Sequence, residues 1–343
     1  DCAMHRTLCD RRPGHPRTIV RRRAGYDEPA YVVSDREETA SPRRTVSRCL
    51  RARFNESRCD RCLAGCVHGA IHLDGVVRID AERCRGCMAC SAACPSGALE
   101  IASDFPRIVE RAPPTDALIL GCTRHPLVPA IRVPCLGMLS EEHLVYLLAS
   151  CPEPVFLVTV WCAECENASA VERMKDRLLR LERLTILPFA DRFRFVTVRP
   201  EPAERRYDRR SFFTEVRNKV VSRVAGTVAS DPESDPERAR TGVDYSSKII
   251  PQRSRLLAAA LARVTPDQAR IIGDLLRFRM EISESCDGCF GCVAVCPTGA
   301  LESSSKAPRF NEGACTGCEL CSGFCANGAI RIHPKGGAAG GCG

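Results

Sequence analysis

Short apolar runs separated by amphipathic stretches occupy the middle of the chain. Apolar residues are concentrated at 117–122, 130–135 and 154–162, and residues 194–199 alternate between apolar and polar. Runs of this length predict β-strands, and the helical stretches between them favour parallel pairing, because parallel strands need a crossover connection. Near-continuous apolar strands also favour burial on both faces. This part of the chain therefore predicts a small parallel α/β domain.

Two helices are predicted between and after these strands. Ser140 precedes two glutamates and is a good N-cap for a helix that runs through Ala149. A second helix is predicted at about 168–184, because its apolar residues recur at helical spacing. The apolar face of this helix consists of Val171, Met174, Leu178 and Leu181.

Three more helices are predicted after the α/β domain. Apolar residues recur at helical spacing in 209–228, 252–264 and 267–282. The last of these follows Thr265 and Pro266, which begin a capping box with proline at the first helical position. We expect the last two helices to pack on the C-terminal part of the chain.

The C-terminal part contains two copies of the spacing C-x2-C-x2-C-x3-C. Each copy is followed by a glycine, Gly299 or Gly328, and then by a short apolar strand that starts at Leu301 or Ile330. Three cysteines of such a motif bind one [4Fe–4S] cluster, and the fourth binds the other cluster. The predicted ligands are Cys286, Cys289, Cys292 and Cys325 for one cluster, and Cys296, Cys315, Cys318 and Cys321 for the other. Two zinc sites are the alternative, because zinc also binds paired cysteines.

The same motif occurs twice near the N-terminus, and one cysteine of the first copy is missing. The predicted ligands of a regular [4Fe–4S] cluster are Cys66, Cys84, Cys87 and Cys90, and those of a second are Cys59, Cys62 and Cys94 with Cys49. Cys49 is assigned because Glu56 stands where the first cysteine belongs. The alternatives are a three-iron cluster, an oxygen ligand from Glu56, or a ligand from a partner protein. His68 is predicted to be a turn residue near the cluster.

Cysteines also follow the predicted strands of the α/β domain. They are Cys122, Cys135, Cys162 and Cys165. Because the carboxyl ends of parallel strands share one edge, we expect these four thiols to lie together. Such a group could bind a [2Fe–2S] cluster or zinc, or could form a redox-active dithiol. Cys151 is predicted to be a buried or free thiol, and no role is assigned to Cys2, Cys9 and Cys342.

These patterns divide the chain into two cysteine-rich modules around the α/β domain. Each module resembles a bacterial-type two-cluster ferredoxin, so the predicted fold class is α+β, with two such modules flanking the α/β domain and with connecting helices. The predicted boundaries are 1–48 for an arginine-rich, poorly ordered arm, 49–105 for the first module, 115–200 for the α/β domain, 201–282 for a helical connector, 283–335 for the second module and 336–343 for a flexible tail. Proline residues in 102–116 predict a linker.

Composition and charge indicate the cellular compartment of the protein and the class of its partners. The 24 cysteines occur largely at ligand spacing, which favours a reducing compartment over disulfide bonds. The formal charge is +8, but four [4Fe–4S] clusters would contribute about −8, so we expect no nucleic-acid partner. No stretch predicts a signal peptide or an apolar run of the ~20 residues that cross a bilayer. We therefore expect a cytoplasmic protein without a membrane span.

The α/β domain resembles the delta subunit of methyl-viologen-reducing hydrogenases. The resemblance is carried by LILGC at 118–122, AIRVPCLGMLSEEHLVYLLA at 130–149 and VFLVTVWCAEC at 155–165. It implies a [2Fe–2S] cluster at Cys122, Cys135, Cys162 and Cys165. It also implies a subunit of a hetero-oligomeric complex in anaerobic metabolism, whose partner is a hydrogenase, a formate dehydrogenase or a heterodisulfide-reductase-type flavoprotein. The chain differs from the family pattern at Arg124 and His125, where a second cysteine is usual, and at Ala163 and Glu166, where histidine is usual.

Two functions from different classes follow. The sequence has no phosphate-binding lysine loop and no dinucleotide fingerprint, so a chain with several clusters is best interpreted as a non-catalytic electron-transfer subunit that connects an oxidoreductase with another carrier. The alternative is a thiol or disulfide reductase, whose middle cysteines react with substrate and receive electrons from the [4Fe–4S] clusters. A reductase would keep an exchangeable thiol pair open to alkylation, whereas an electron-transfer subunit would keep all four thiolates on metal.

Overall fold

The computed structural model describes residues 41–110, 117–124, 131–185, 187–197 and 244–336. All of these residues lie in one compact unit of the chain. The predicted helix at 209–228, the tail and the first part of the predicted arm lie outside the described residues. Three parts are named below: the N-terminal segment (41–110), the middle segment (117–197) and the C-terminal segment (244–336).

The N-terminal segment is built from short strands and short helices. Its strands are β1 (Arg43–Arg44), β2 (Ile71–His72), β3 (Arg78–Ile79) and β4 (Leu99–Glu100), and its helices are α1 (Leu50–Arg53), α2 (Arg61–Gly65), α3 (Ala89–Ala93) and α4 (Phe105–Val109). Strand β2 pairs antiparallel with β3, and β1 pairs antiparallel with β4. The β1–β4 pair places the start of this segment beside Leu99 and Glu100.

Two predictions for the edges of this segment are wrong. Residues 43–48 do not belong to a poorly ordered arm, because Arg44 pairs with Leu99 and a 3-10 turn follows at Val46–Arg48. Residues 105–109 are not a linker but a helix with buried apolar side chains, among them Phe105. In both cases the order comes from packing on residues far away in the sequence, which local periodicity does not report.

The middle segment is the predicted parallel α/β domain. Its strands are β5 (Leu118–Cys122), β6 (Ile131–Val133), β7 (Val155–Val158) and β8 (Phe193–Val196), and its helices are α5 (Glu141–Ser150), α6 (Ala168–Leu184) and α7 (Phe189–Arg192). The strands pair in parallel in the order β6-β5-β7-β8. The carboxyl ends of β5, β6 and β7 therefore lie at one edge, which is where the cysteines follow.

Helices α5 and α6 begin where the sequence predicts. Helix α6 has the predicted bounds, and the four residues of its predicted apolar face are buried. Ser140 differs from the prediction in one respect, because its hydroxyl does not cap the backbone of α5. The hydroxyl instead donates to the carboxylate of Glu142 at 2.6 Å and lies 2.8 Å from Nδ1 of His143.

His143 makes the stability of this segment dependent on pH. Burial lowers the pKa of His143 from 6.5 to about 4, and the ring packs edge-on against Phe105. The unfolded chain thus binds a proton on this residue that the folded chain does not, so the stabilisation is lost as the pH falls below 6.5. Between pH 7 and pH 5 we expect the free energy of unfolding to fall by about 2 kcal/mol.

Urea unfolding at the two pH values, compared with His143→Gln, measures this effect. Glutamine does not titrate, so the variant should lose less stability on acidification than the wild type. Iron content is followed in the same samples, because loss of metal on acidification would affect both proteins. An equal loss of stability in the variant and the wild type would show that His143 is not the group responsible.

The C-terminal segment combines two helices with a second set of short elements. Its helices are α8 (Gln252–Leu261), α9 (Pro266–Leu276), α10 (Gly291–Val295) and α11 (Leu320–Phe324), and its strands are β9 (Phe278–Ile282), β10 (Leu301–Glu302), β11 (Arg309–Phe310) and β12 (Ile330–Pro334). Strand β9 pairs antiparallel with β12, and β10 pairs antiparallel with β11. The strands predicted to start at Leu301 and Ile330 are thereby confirmed.

Predictions for the helices of this segment are only partly correct. Thr265 and Gln268 form the predicted capping box. The helix that follows ends at Leu276, however, and residues 278–282, which were predicted to continue it, form strand β9. Helix α8 packs on α5 of the middle segment, not only within the C-terminal segment as predicted. Its buried side chains include Leu256 and Leu257.

Candidate metal centres

The three complete cysteine motifs share a rare backbone conformation. The residue after the second cysteine of each motif has a positive φ, with values of 57° at Met88, 54° at Phe290 and 59° at Glu319. Few residues other than glycine adopt this region. Each of these residues is followed at once by a short helix, which carries the third cysteine. The turn therefore brings the third cysteine back toward the first two.

The incomplete motif does not form this turn. Asp60 occupies the corresponding place and has a φ of −129°. Glu56, which stands at the position of the first cysteine, is exposed. A loop of the regular shape is therefore absent at this motif, and any fourth ligand has to come from elsewhere.

Cys49 lies at the open side of the incomplete motif. Together with ten other side chains it lines a small, partly enclosed cavity, which also borders Cys59, Cys62 and Cys94. Cys49 is 8% exposed. The rest of the lining is mainly apolar, with Leu50 among the contributors. The four sulfurs predicted for this cluster thus surround a hollow, and Glu56 is not part of its lining.

Arg48, the residue before Cys49, connects the turn at Cys49 to the residues that follow Cys94. The guanidinium of Arg48 donates to both carboxylate oxygens of Glu100, at 2.6 Å and 3.2 Å, and to the carbonyl oxygen of Ser96 at 3.1 Å. Arg48 is buried, with 4% of its surface exposed. Ser96 follows Cys94 by two residues, so the clamp joins the loop of Cys94 to the turn that presents Cys49.

A matching cavity occurs in the C-terminal segment. It is likewise small and partly enclosed. The cysteines that line it are Cys296, Cys315, Cys318 and Cys321. In both cavities the fourth cysteine of one motif lies with cysteines of the other motif: Cys296 with Cys315, Cys318 and Cys321, and Cys94 with Cys59, Cys62 and the additional Cys49. This is the crossing that the two-cluster arrangement requires.

The cysteines predicted for the other two [4Fe–4S] clusters also lie near one another. The contacts among them are more complete for the group of Cys90 than for the group of Cys292. Burial, with the thiols of Cys87, Cys84 and Cys66 adding to it, raises the pKa of Cys90 well above its ordinary value. Burial likewise raises the pKa of Cys292, with contributions from Cys286 and Cys289. Cys325 packs against the hydrophobic core that contains Cys292 and is half-buried. As metal-free thiols Cys90 and Cys292 stay protonated at neutral pH, and iron would displace the protons.

The fourth cysteine of each motif has a polar contact from the turn that follows it. The backbone N–H of Ala70 lies 3.3 Å from the sulfur of Cys66, and that of Ala329 lies 3.4 Å from Cys325. Hydroxyl groups take this place elsewhere, with Ser96 at 3.8 Å from Cys94 and Thr298 at 3.6 Å from Cys296. Hydrogen bonds to cluster sulfurs and ligands set reduction potentials. The four positions thus fall into two types, which could give different potentials.

The four predicted cysteines of the middle segment meet at the carboxyl edge of the sheet. Burial raises the pKa of Cys135 to about 12, and the thiols of Cys122 and Cys162 contribute. Burial also raises the pKa of Cys162 to about 11, with contributions from Cys122 and Cys165. Backbone N–H groups lie 3.5 Å from the sulfurs of Cys135 and Cys165. Cys151 lies apart from this edge as a buried thiol, as predicted.

This edge of the sheet lies against the N-terminal segment. A Cβ atom on Gly137 would lie 2.8 Å from the carbonyl oxygen of Cys87, and the thiol of Cys87 contributes to the raised pKa of Cys135. His68 is a turn residue here, as predicted, and its Nε2 lies 2.7 Å from Oδ1 of Asn167. The cysteine group of the middle segment is therefore next to that of Cys66, Cys84, Cys87 and Cys90.

Sequence reasoning missed the charged residues that position these groups. Arg48 and Glu100 lie far apart in the sequence, and no motif joins them. Glu166 accepts hydrogen bonds from Arg85 at 2.9 Å and from Arg124 at 2.5 Å. Such pairings depend on tertiary contacts, and no spacing rule reports them.

The described residues contain neither a membrane-spanning helix nor a site for a single metal ion. In this part of the chain no helix is long and apolar enough to cross a membrane. Within the same residues, no group of three or more histidine, cysteine, aspartate or glutamate side chains is arranged to hold a metal ion. A [4Fe–4S] cluster spreads its thiolates around a cubane, not around one ion.

Comparison with known families supports one part of this description directly. The model of a 4Fe-4S binding domain matches residues 77–100, which include Cys84, Cys87, Cys90 and Cys94. Comparisons with curated proteins and with solved structures gave no match. The chain thus contains a 4Fe-4S binding domain, and this domain together with the many cysteines indicates iron–sulfur electron transfer and redox partners.

Proposed function

We propose that this chain is an electron-transfer subunit that holds four [4Fe–4S] clusters and one [2Fe–2S] cluster. The observation that carries the proposal is the pair of matching cavities, each lined by the four cysteines predicted for one cluster. The proposed ligand sets are Cys49, Cys59, Cys62 and Cys94; Cys66, Cys84, Cys87 and Cys90; Cys286, Cys289, Cys292 and Cys325; and Cys296, Cys315, Cys318 and Cys321. Bound clusters would accept and release single electrons.

The protein supplies the surroundings that make such clusters useful. Apolar walls keep water from much of the cavity next to Cys49. The amide and hydroxyl contacts to the fourth cysteines stabilise charge on sulfur. Solvent exposure, charge and these contacts set the potential of each centre. Within each module two centres lie close together, so electrons can pass between them without a diffusing carrier.

The middle segment is proposed to hold the [2Fe–2S] cluster at Cys122, Cys135, Cys162 and Cys165. Support comes from the convergence of the four thiols at one edge of the sheet. Their position beside Cys87 favours electron exchange with the neighbouring [4Fe–4S] site. By the resemblance given above, the partner is a hydrogenase, a formate dehydrogenase or a heterodisulfide-reductase-type flavoprotein in the cytoplasm.

The reductase alternative is less well supported. A disulfide-reducing thiol needs a pKa near or below the ambient pH, because the thiolate is the nucleophile. Burial raises the pKa of Cys135 to about 12 and that of Cys162 to about 11 when no metal is bound. Alkylation of the anaerobic holoprotein distinguishes the two functions, since metal-bound thiolates resist the reagent and an open dithiol reacts.

Metal analysis tests the proposed function. After anaerobic reconstitution we expect about 16 to 20 iron atoms per chain, because four [4Fe–4S] clusters and one [2Fe–2S] cluster need about this number. Acid-labile sulfide should match iron, and zinc should be low. A content of about eight iron atoms with zinc making up the rest would contradict the proposal, since zinc would then occupy half of the cysteine sites.

A further inference from the structure

One arginine lies between a cysteine site of the N-terminal segment and one of the C-terminal segment. Arg61 follows Cys59 by two residues, and its Nη2 donates to the carbonyl oxygen of Gly317 at 3.1 Å. The same nitrogen lies 3.8 Å from the carboxylate of Glu319. Gly317 and Glu319 flank Cys318 on either side. The guanidinium therefore touches the loop that carries Cys318 while its own helix carries Cys62.

The charge of Arg61 lies close to two cysteine motifs. Arg61 follows Cys59 by two residues and directly precedes Cys62, and its guanidinium contacts both neighbours of Cys318. Arg61 thus lies beside two sites that belong to different motifs, far apart in the sequence.

Neighbouring contacts hold this junction together. The rings of Phe54 and Phe324 meet edge-on, with their centroids 5.2 Å apart. Arg53 donates to the carbonyl oxygens of Tyr245 and Ser247, at 3.0 Å and 2.9 Å. These contacts are independent of Arg61. The two segments therefore stay docked when Arg61 alone is changed.

We propose, on the basis of the proposed function, that electrons pass between the two modules through this junction. The donor and acceptor are the site of Cys49, Cys59, Cys62 and Cys94 and the site of Cys296, Cys315, Cys318 and Cys321. One electron moves, so one cluster is oxidised by one electron and the other is reduced by one electron, while no bond or proton changes place. Arg61 is a positioning residue that stabilises the added negative charge at either site.

The junction orders all the proposed sites along one path. The middle segment contacts the site of Cys87, and the shared N-terminal module leads from there to the site of Cys49. The junction at Arg61 then leads to the site of Cys318, and Cys289, which is exposed, lies in the remaining site at the far end. A one-electron carrier would meet the path at its ends, not at the junction.

Potentiometric titration of Arg61→Ala, followed by electron paramagnetic resonance, tests the proposal. Loss of the positive charge disfavours reduction, so the potentials of the two junction clusters should fall together and those of the other clusters should not. We expect the reduced-to-oxidised ratio at fixed potential to drop about threefold to tenfold at both sites. Arg61→Lys, which keeps the charge, should restore most of the wild-type potentials.

Arg107→Ala is the matched control, because Arg107 is 80% exposed on α4 and pairs with nearby Asp104. It should leave all the potentials unchanged. Arg61 itself is 43% exposed, so its replacement should not unfold the protein. If Arg61→Ala nevertheless failed to assemble its clusters, Glu319→Gln provides a second test. Loss of that carboxylate should raise the potentials of the same two clusters.

The outcomes separate the junction from the proposed function. A shift confined to the cluster of Cys59, or shared by all the clusters, would overturn the junction and leave the electron-transfer subunit intact. Wild-type protein that does not assemble four [4Fe–4S] clusters would overturn the proposed function itself. Iron analysis of each variant beside the wild type makes the two failures distinguishable.

Discussion

Replacement of Cys296 by alanine is expected to damage a cluster bound mainly by the other motif. Cys296 ends the motif that begins at Cys286, yet its side chain lines the cavity of Cys315, Cys318 and Cys321. The site would lose one of four thiolates and expose an iron to water. We expect this cluster either to become a three-iron cluster or to be lost completely. The protein would then lose about one or about four iron atoms per chain.

Spectroscopy of the holoprotein distinguishes the affected cluster. The signal of the Cys315 site should change in Cys296→Ala, and the signal of the Cys286 site should be retained. The mirror variant Cys325→Ala should give the opposite pattern, because Cys325 ends the motif of Cys315. Cys151→Ala is a neutral control, since Cys151 is buried outside all the proposed sites. Loss of the Cys286 signal in Cys296→Ala would contradict the crossed ligand assignment.

Local pattern predicted the middle segment well, because helix α6 is long and periodic and the strands are short apolar runs. Helix α6 repeats apolar residues over several turns, so both its bounds and its buried face could be predicted. The strands before the cysteines are nearly continuous apolar runs, and runs of this kind predict buried parallel strands. The same logic predicted that cysteines following three of the strands would meet at one edge.

Short elements stabilised by distant partners could not be predicted in this way. Residues 278–282 continue a helical pattern in sequence, but they pair as a strand with residues 330–334. The strand is favoured over the helix because pairing provides hydrogen-bond partners for the backbone groups of both segments. It also buries Ile330 against its neighbours. Residues 43–48 and helix α4 show the same limit, since each is ordered by contacts to remote residues.

Cysteine spacing predicted which thiols converge, but it does not report what holds them in place. The covalent spacing of a motif limits its shape, so the groups of thiols that lie together could be predicted from spacing. The charges of Arg48 and Arg61 act between residues far apart in the sequence and were found only in the structure. Potentials depend on such charges, so the sequence alone does not predict the order of the potentials of the proposed centres.

Cys49 is the ligand whose removal should be the most informative. Replacing it by alanine leaves Cys59, Cys62 and Cys94 around a cavity that has lost its fourth thiolate. The iron that loses its thiolate would keep its cluster sulfides but would have only solvent as its terminal ligand, so it would be released easily. We expect Cys49→Ala to convert this cluster to a three-iron form, with a loss of about one iron atom per chain, and to leave the other three unchanged.

Glu56→Ala is the matched comparison, because Glu56 occupies the position in the motif that a cysteine would normally have. Its side chain is exposed and does not line the cavity, so its replacement should have little effect. Arg48→Ala provides an independent check of how Cys49 is held. Breaking the buried pair with Glu100 should loosen the turn before Cys49 and make the same cluster labile, without removing a ligand.

Iron quantification and the three-iron signal in electron paramagnetic resonance separate these cases. Loss of one iron in Cys49→Ala, with none in Glu56→Ala, supports the thiolate. If the pattern were reversed, the carboxylate would be the ligand, and the turn between α1 and α2 would have to move to bring Glu56 into the cavity. Wild-type behaviour in both variants would mean that a partner or solvent completes the site. The hydrogen bonds of Arg48 to Ser96 and Glu100 would then stabilise the fold of the N-terminal segment without positioning a ligand.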